Sequence, residues 1–78
     1  MNANEIIKML TGARAVIIDA ETDRFFHFTT LTENEAISMM IRGNSKFGIT
    51  ASGELWCLIS GCRYRYVFAD KSLAAIAE

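Results

Sequence analysis

The sequence predicts a two-layer α+β domain: a mainly antiparallel sheet of four to five strands with helices on one face, in the order α-β-β-α-β-β-β-α. Three observations predict it. Two segments carry apolar residues at helical spacing between capping residues. The other segments are short runs rich in β-branched and aromatic residues, broken by turn residues. The strands follow one another in runs instead of alternating with helices, which favours antiparallel pairing.

The helical period comes first in Asn2 to Thr11, where Ala3, Ile6, Ile7 and Leu10 share one face. Asn2 or Asn4 suits its N-cap, and Gly12 stands where a left-handed residue ends a helix. Arg14 to Ala20 (RAVIIDA) reads as a strand, Glu21-Thr22-Asp23 as a polar turn, and Arg24 to Thr30 (RFFHFTT) as the returning strand. A three-residue loop places Val16 and Ile18 on one face with Phe26 and Phe28, and Ile17, Phe25 and His27 on the other. A two-residue loop swaps this pairing, because a slip of one residue turns every side chain over.

Thr32 to Glu35 (TENE) has the form of a capping box, with Leu31 and Ala36 at the hydrophobic-staple positions. Glu33 and Glu35 suit the positive end of the helix dipole. Ala36, Ile37, Met40 and Ile41 are expected to form the apolar stripe of this second helix, closed by Gly43-Asn44.

Lys46 to Asp70 then reads as a three-stranded meander. Ala51-Ser52-Gly53 makes a three-residue loop, which sets Phe47 against Cys57, Gly48 against Trp56 and Ile49 against Leu55. A tight turn at Ser60-Gly61 sets Ile59 against Cys62, Cys57 against Tyr64 and Trp56 against Arg65. Phe47, Ile49, Leu55, Cys57, Ile59, Tyr64, Tyr66 and Phe68 then share the inner face. Lys46, Gly48, Trp56, Leu58, Arg63 and Arg65 share the outer one. Asp70 caps a short last helix, Lys71 to Ala77, with Leu73 and Ile76 inward.

Composition narrows the function classes. The 78 residues are 51% hydrophobic and 22% charged, with five Phe and no Pro, which is the composition of one folded domain over residues 1–78. A net charge of -1 lacks the basic footprint of phosphate-dominated nucleic-acid binding. Apolar runs fall far short of the roughly 20 residues that span a bilayer. Two Cys and an N-terminus unlike a signal peptide favour a reducing cytoplasm and free thiols.

Chemical constellations are sparse. Cys57 and Cys62 with a single His27 fall short of the four ligands of structural zinc, so no metal or cofactor is expected. His27 reads as a half-buried strand residue. The five Gly are dispersed at element ends, turns and one strand position, and form no phosphate loop. Val16 to Asp23 (VIIDAETD) resembles the first motif of the DnaQ-like (DEDD) exonucleases, with Asp19 and Glu21 at the matching positions. The resemblance implies carboxylates that hold metal ions at a phosphodiester. The family's later motifs do not follow, and an acidic hairpin turn accounts for the same residues.

The candidate contact surface is Lys46, Trp56, Leu58, Arg63 and Arg65 on the outer sheet face. Trp and Arg are enriched at interface hot spots, and aromatic and Arg residues on an open sheet also stack bases in single-strand binders. A purely structural role competes: Trp56 covering Gly48, with Arg65 stacked on it. The expected function is a non-catalytic interaction module with a larger protein or ribonucleoprotein as partner. A single-strand DNA- or RNA-binding module is the alternative, and a nuclease-like site at Asp19/Glu21 the third reading. The same face is also able to pair with its own copy about a two-fold axis. In size, composition and lack of a chemical site, the chain is similar to small phage- or mobile-element-encoded inhibitors, the anti-CRISPR class among them. That similarity implies blocking of a nucleic-acid-handling complex by surface occupation.

Overall fold

The computed structural model describes residues 2–41 and 43–77. Its elements are α1 (Ala3–Leu10), β1 (Arg14–Asp19), β2 (Phe25–Thr30), α2 (Glu33–Met40), β3 (Ser45–Ile49), β4 (Leu55–Ile59), β5 (Tyr64–Phe68) and a 3₁₀ helix (Lys71–Ala77). The strands form one five-stranded antiparallel sheet in the order β2-β1-β5-β4-β3. The α+β class and the element order match the expectation from the sequence. After the first hairpin, α2 carries the chain from the β2 edge to the opposite edge. The meander then returns until β5 pairs with β1.

Local chemistry fixes the helices. The Asn2 side chain accepts from the Glu5 amide at 2.9 Å and caps α1, and Gly12 follows it at φ +83°. The capping box of α2 is complete: the Glu35 amide donates to the Thr32 hydroxyl, and the Thr32 amide donates to the Glu35 carboxylate. Leu31 and Ala36, the staple pair, are both buried. Asp70 accepts from the Ser72 amide and hydroxyl, and this starts the 3₁₀ helix.

The inward stripe of α2 differs from the expectation. Ala36 and Met39 are buried, whereas Ile37 is 41% and Ile41 54% exposed. Burial of Ala36 at the staple sets the rotation of this short helix, and Met39, one turn on, follows it inward. Helical spacing alone allows Ile37 and Ile41 as an equally good stripe.

One core lies between the helices and one face of the sheet. Leu10, Leu31, Ala36, Met39 and Leu73 meet Ala15, Leu55, Cys57 and Phe68 there. The first meander loop is as expected, with Thr50 opposite Glu54 and Gly53 at φ +86°. The second is longer than expected: Cys57 pairs with Tyr66, Trp56 with Val67 and Leu58 with Arg65. Ser60 to Arg63 form the loop, with Gly61 at φ +79°. The slip is two residues, so the division of side chains between faces survives, while Cys62 moves from a strand into a half-exposed loop position.

The first hairpin takes neither expected register throughout. Val16 pairs with Phe28 and Ile17 with His27, after which a β-bulge sets Ile18 opposite Phe25. The extra residue turns Phe25 onto the face of Ile18. Phe26 stacks on Tyr64 instead, at 4.6 Å between centroids. His27 is exposed beside Phe26, not half-buried, because β2 is an edge strand.

Thr32→Ala is expected to lower unfolding free energy by about 1 kcal/mol. Met39→Ala costs about 2–5 kcal/mol by leaving a cavity, whereas Ile37→Ala stays within about 0.5 kcal/mol. Urea midpoints for the three variants, at an unchanged slope, check the assigned rotation of α2.

Candidate functional site

Strand alternation sends every second side chain of the sheet away from the helices. Register aligns those side chains in two rows. One row runs Phe28–Val16–Val67–Trp56–Gly48, and the next runs Phe25–Ile18–Arg65–Leu58–Lys46. Among the described residues no helix packs over these rows; Asp23 of the β1–β2 loop reaches Arg65, and Thr50, Ser52 and Glu54 border the Trp56 side. Phe25 and Phe28 are 58% and 65% exposed, and their rings touch at a centroid distance of 5.0 Å. The remaining apolar members are half-buried by one another.

Trp56 projects outward, as the sequence predicts, and its indole lies flat over Gly48. A Cβ at that glycine falls on the ring atoms of Trp56, so only glycine fits beneath it. The ring therefore has a structural duty, shielding strand backbone that no side chain covers. Arg65 lies 5.7 Å from the indole centroid and donates from Nη2 to Asp23 Oδ1 at 2.6 Å. Its Nε is buried and has no partner among the described residues. Asp23 reaches this position from the hairpin loop with φ +57°, a left-handed conformation that Asp tolerates better than most residues.

Of the five candidate residues, Lys46, Trp56, Leu58 and Arg65 come together. Lys46 is exposed at the β3 edge, beside Leu58. Arg63 does not join them. It sits in the β4–β5 loop, where its Nε donates to Asp19 Oδ2 at 2.8 Å. The residues that sequence reasoning left out of the site are Phe25, Phe28, Val16, Ile18 and Val67. A signal was present: β1 and β2 carry apolar residues on both faces, as strands buried on both sides do.

Asp19 is held within the fold. Its Oδ1 accepts from the amides of Glu21 and Thr22, and its Oδ2 from Arg63. The Glu21 amide is the main cause of a pKa lowered from the usual carboxylate value, with Thr22 and Arg63 adding to it. The same pair raises the Arg63 pKa. No group of three or more His, Cys, Asp and Glu among the described residues is placed to hold a metal ion. The resemblance of this segment to an exonuclease motif thus falls on a hydrogen-bonded turn. Both cysteines are free, and burial pushes the Cys57 thiol up to about 11.

No family model, curated protein or solved structure matches the chain. No helix among the described residues is long and apolar enough to cross a membrane.

Gly48→Ala is expected to destabilise by about 1–3 kcal/mol through overlap with the indole. In a Trp56→Ala background the same change stabilises, since glycine within a strand costs roughly 0.5–1 kcal/mol relative to alanine. Unfolding midpoints at the four corners of this cycle measure the coupling.

Asp19 also sets an acid dependence. Its folded pKa lies below the ordinary 3.8, so its stabilising effect is complete above that pH and declines as pH falls through the folded value. The stability gap between wild type and Asp19→Asn is therefore expected to narrow on going from about pH 5 to about pH 2.5, as read from thermal midpoints at constant ionic strength.

Proposed function

We propose that the chain is a small protein-interaction module that seats its open sheet face on a larger protein or ribonucleoprotein. The observation that carries this reading is the apolar row Phe28–Val16–Val67–Trp56 on the face opposite the helices. Five strands about 4.8 Å apart and five residues at about 3.4 Å each give a face of roughly 400 Å² in projection. Apolar side chains hold most of its positions, and contiguous apolar patches of a few hundred Å² are often functional. Aromatic residues with one central arginine also match the make-up of interface cores, where other charges are depleted.

Charge separates this reading from a single-strand nucleic-acid module. Arg63 and Arg65 are the cations such a module needs, and Asp19 and Asp23 neutralise both. Lys46 is left at one edge of the face and Arg14 at the start of β1, too few cations for phosphate-dominated binding. The finer proposal is inhibition: occupying a surface of a nucleic-acid-handling complex, in the manner of small phage-encoded proteins of anti-CRISPR type. It draws on the small size and on the commitment of Asp19 to its own turn.

The variant Lys46→Glu with Leu58→Glu leaves the core face untouched and is expected to stay within about 1 kcal/mol of wild-type stability. Capture of the partner from source-cell extract falls by about tenfold or more with this variant. Equal capture by both proteins overturns the reading. Titration with mixed single-stranded oligonucleotides at low salt is expected to be flat; salt-sensitive binding supports the nucleic-acid module instead.

A further inference from the structure

We infer that the chain self-associates through the free edge of β2, two copies pairing antiparallel about a two-fold axis normal to the sheet. The inference does not rest on the docking role of the open face, which this geometry leaves uncovered in both copies.

The first ground is backbone chemistry. β2 is one edge of the sheet, and an edge strand presents a row of unpaired N–H and C=O groups. The Leu31 amide donates to the Ala13 carbonyl. Alternation along the antiparallel ladder then turns the amides of Thr29 and His27 toward β1 and aims those of Phe28 and Thr30 outward. The bulge lies at the start of the strand, so Phe28 to Thr30 stays regular.

The second ground is the lack of a charged or proline guard on this edge, whose one protective feature is the bulge at its start. Phe25 to Thr30 (FFHFTT) contains no Lys, Arg, Asp, Glu or Pro. Phe25, Phe26 and Phe28 are 58%, 54% and 65% exposed. The opposite edge is different: β3 carries the exposed Lys46 and packs against the 3₁₀ helix. Lysine on an edge and cover from a helix are two devices that keep edges from pairing. The chain uses both on β3 and neither on β2.

The third ground identifies the occupant as a second copy. Arg24 precedes the strand and Glu33 follows it by a few residues, and neither forms an ion pair among the described residues. Antiparallel pairing about a two-fold sets the Arg24 end of one copy against the Glu33 end of the other, and symmetry repeats the match. The neutral centre sets no like charges opposite one another. The apolar area on offer is small, so the expected affinity is modest. Edge pairing adds the outer flanks of the three exposed phenyl rings to the backbone bonds, which is less than the roughly 600 Å² per partner at which stable interfaces begin.

Sedimentation velocity on the full chain across about 1–200 μM, a range set by that modest area, is expected to show a monomer–dimer equilibrium. Amide exchange at Phe28 and Thr30 slows as concentration rises, whereas amides of β1 are indifferent. Thr30→Pro removes an outward donor without breaking the ladder to β1, and leaves a folded monomer. Arg24→Glu weakens the dimer by about three- to tenfold, and adding Glu33→Arg restores it. This charge-swap arm decides the matter if Thr30→Pro does not fold. A wild type that is monomeric throughout the range overturns the inference. So does a dimer that survives Thr30→Pro and Arg24→Glu, and pairing through the open face is then the case if Leu58→Glu dissociates it.

Discussion

Backbone pairing between β1 and β5 is the bond on which the rest of the structure hangs. Without it the chain holds a two-stranded hairpin and a separate three-stranded meander, and isolated hairpins are marginal in water. With it, Ala15 faces Phe68 and Ile17 faces Tyr66 across the middle of the sheet. Phe68 is fully buried at this seam, and the small Ala15 opposite leaves room for its ring. Leu10 from the helix before β1 and Leu31, Ala36 and Met39 from the crossover pack into the same cluster. The helical layer is therefore built over the seam, and α2 has its amphipathic duty only because the two halves of the sheet are joined beneath it.

Charge placement repeats this connection at the end of the strands. The end of β1 and the loop after it supply Asp19 and Asp23, and the start of β5 with its preceding loop supplies Arg63 and Arg65. The Ala20 amide donates to the Arg63 carbonyl alongside them. Exposed ion pairs contribute only about 0–1 kcal/mol each, so their effect lies mainly in orientation, drawing the acidic loop across β5. Functional consequences follow from the same bonds. Two guanidinium groups and one indole that look free in the sequence are engaged within the molecule, and the open sheet face is chiefly apolar.

How much of this was legible before the structure depends on the range of the interaction. Caps and loops are local, and the capping box at Thr32, the cap at Asp70 and the Gly53 loop all read correctly. Face assignment in the meander also survived, because the error at Ser60-Gly61 was an even number of residues. The bulge opposite Ile18 was beyond reach, since it depends on how Phe26 meets Tyr64 from a strand far along the chain. The rotation of α2 was ambiguous for a related reason: two stripes of similar hydrophobicity exist, and only the staple at Leu31 and Ala36 selects between them. For the site, Trp56 over Gly48 was foreseeable from the pairing of a large ring with a bare backbone. The aromatic half contributed by β2 was not, because strand order is set by the β1–β5 pairing between distant segments.

The apolar character of the open face is written into the strands themselves. An antiparallel sheet with one wet face ordinarily alternates apolar and polar residues, and continuous apolar runs belong to strands covered on both sides. β1 reads RAVIID, with Ala15 and Ile17 directed to the core and Val16 and Ile18 directed away from it. In β2, Phe25 and Phe28 join the outer set. Across the sheet, Val67 and Trp56 continue the outer row to Gly48. This is the sequence of a sheet meant to lie between two layers, while the helices of the chain supply cover for one. Among the described residues the outer rows have no such second layer: the rings of Phe25 and Phe28 stand exposed at the β2 side, and the cations of the face are Arg65 at its middle, Lys46 at the far edge and Arg14 at the start of β1.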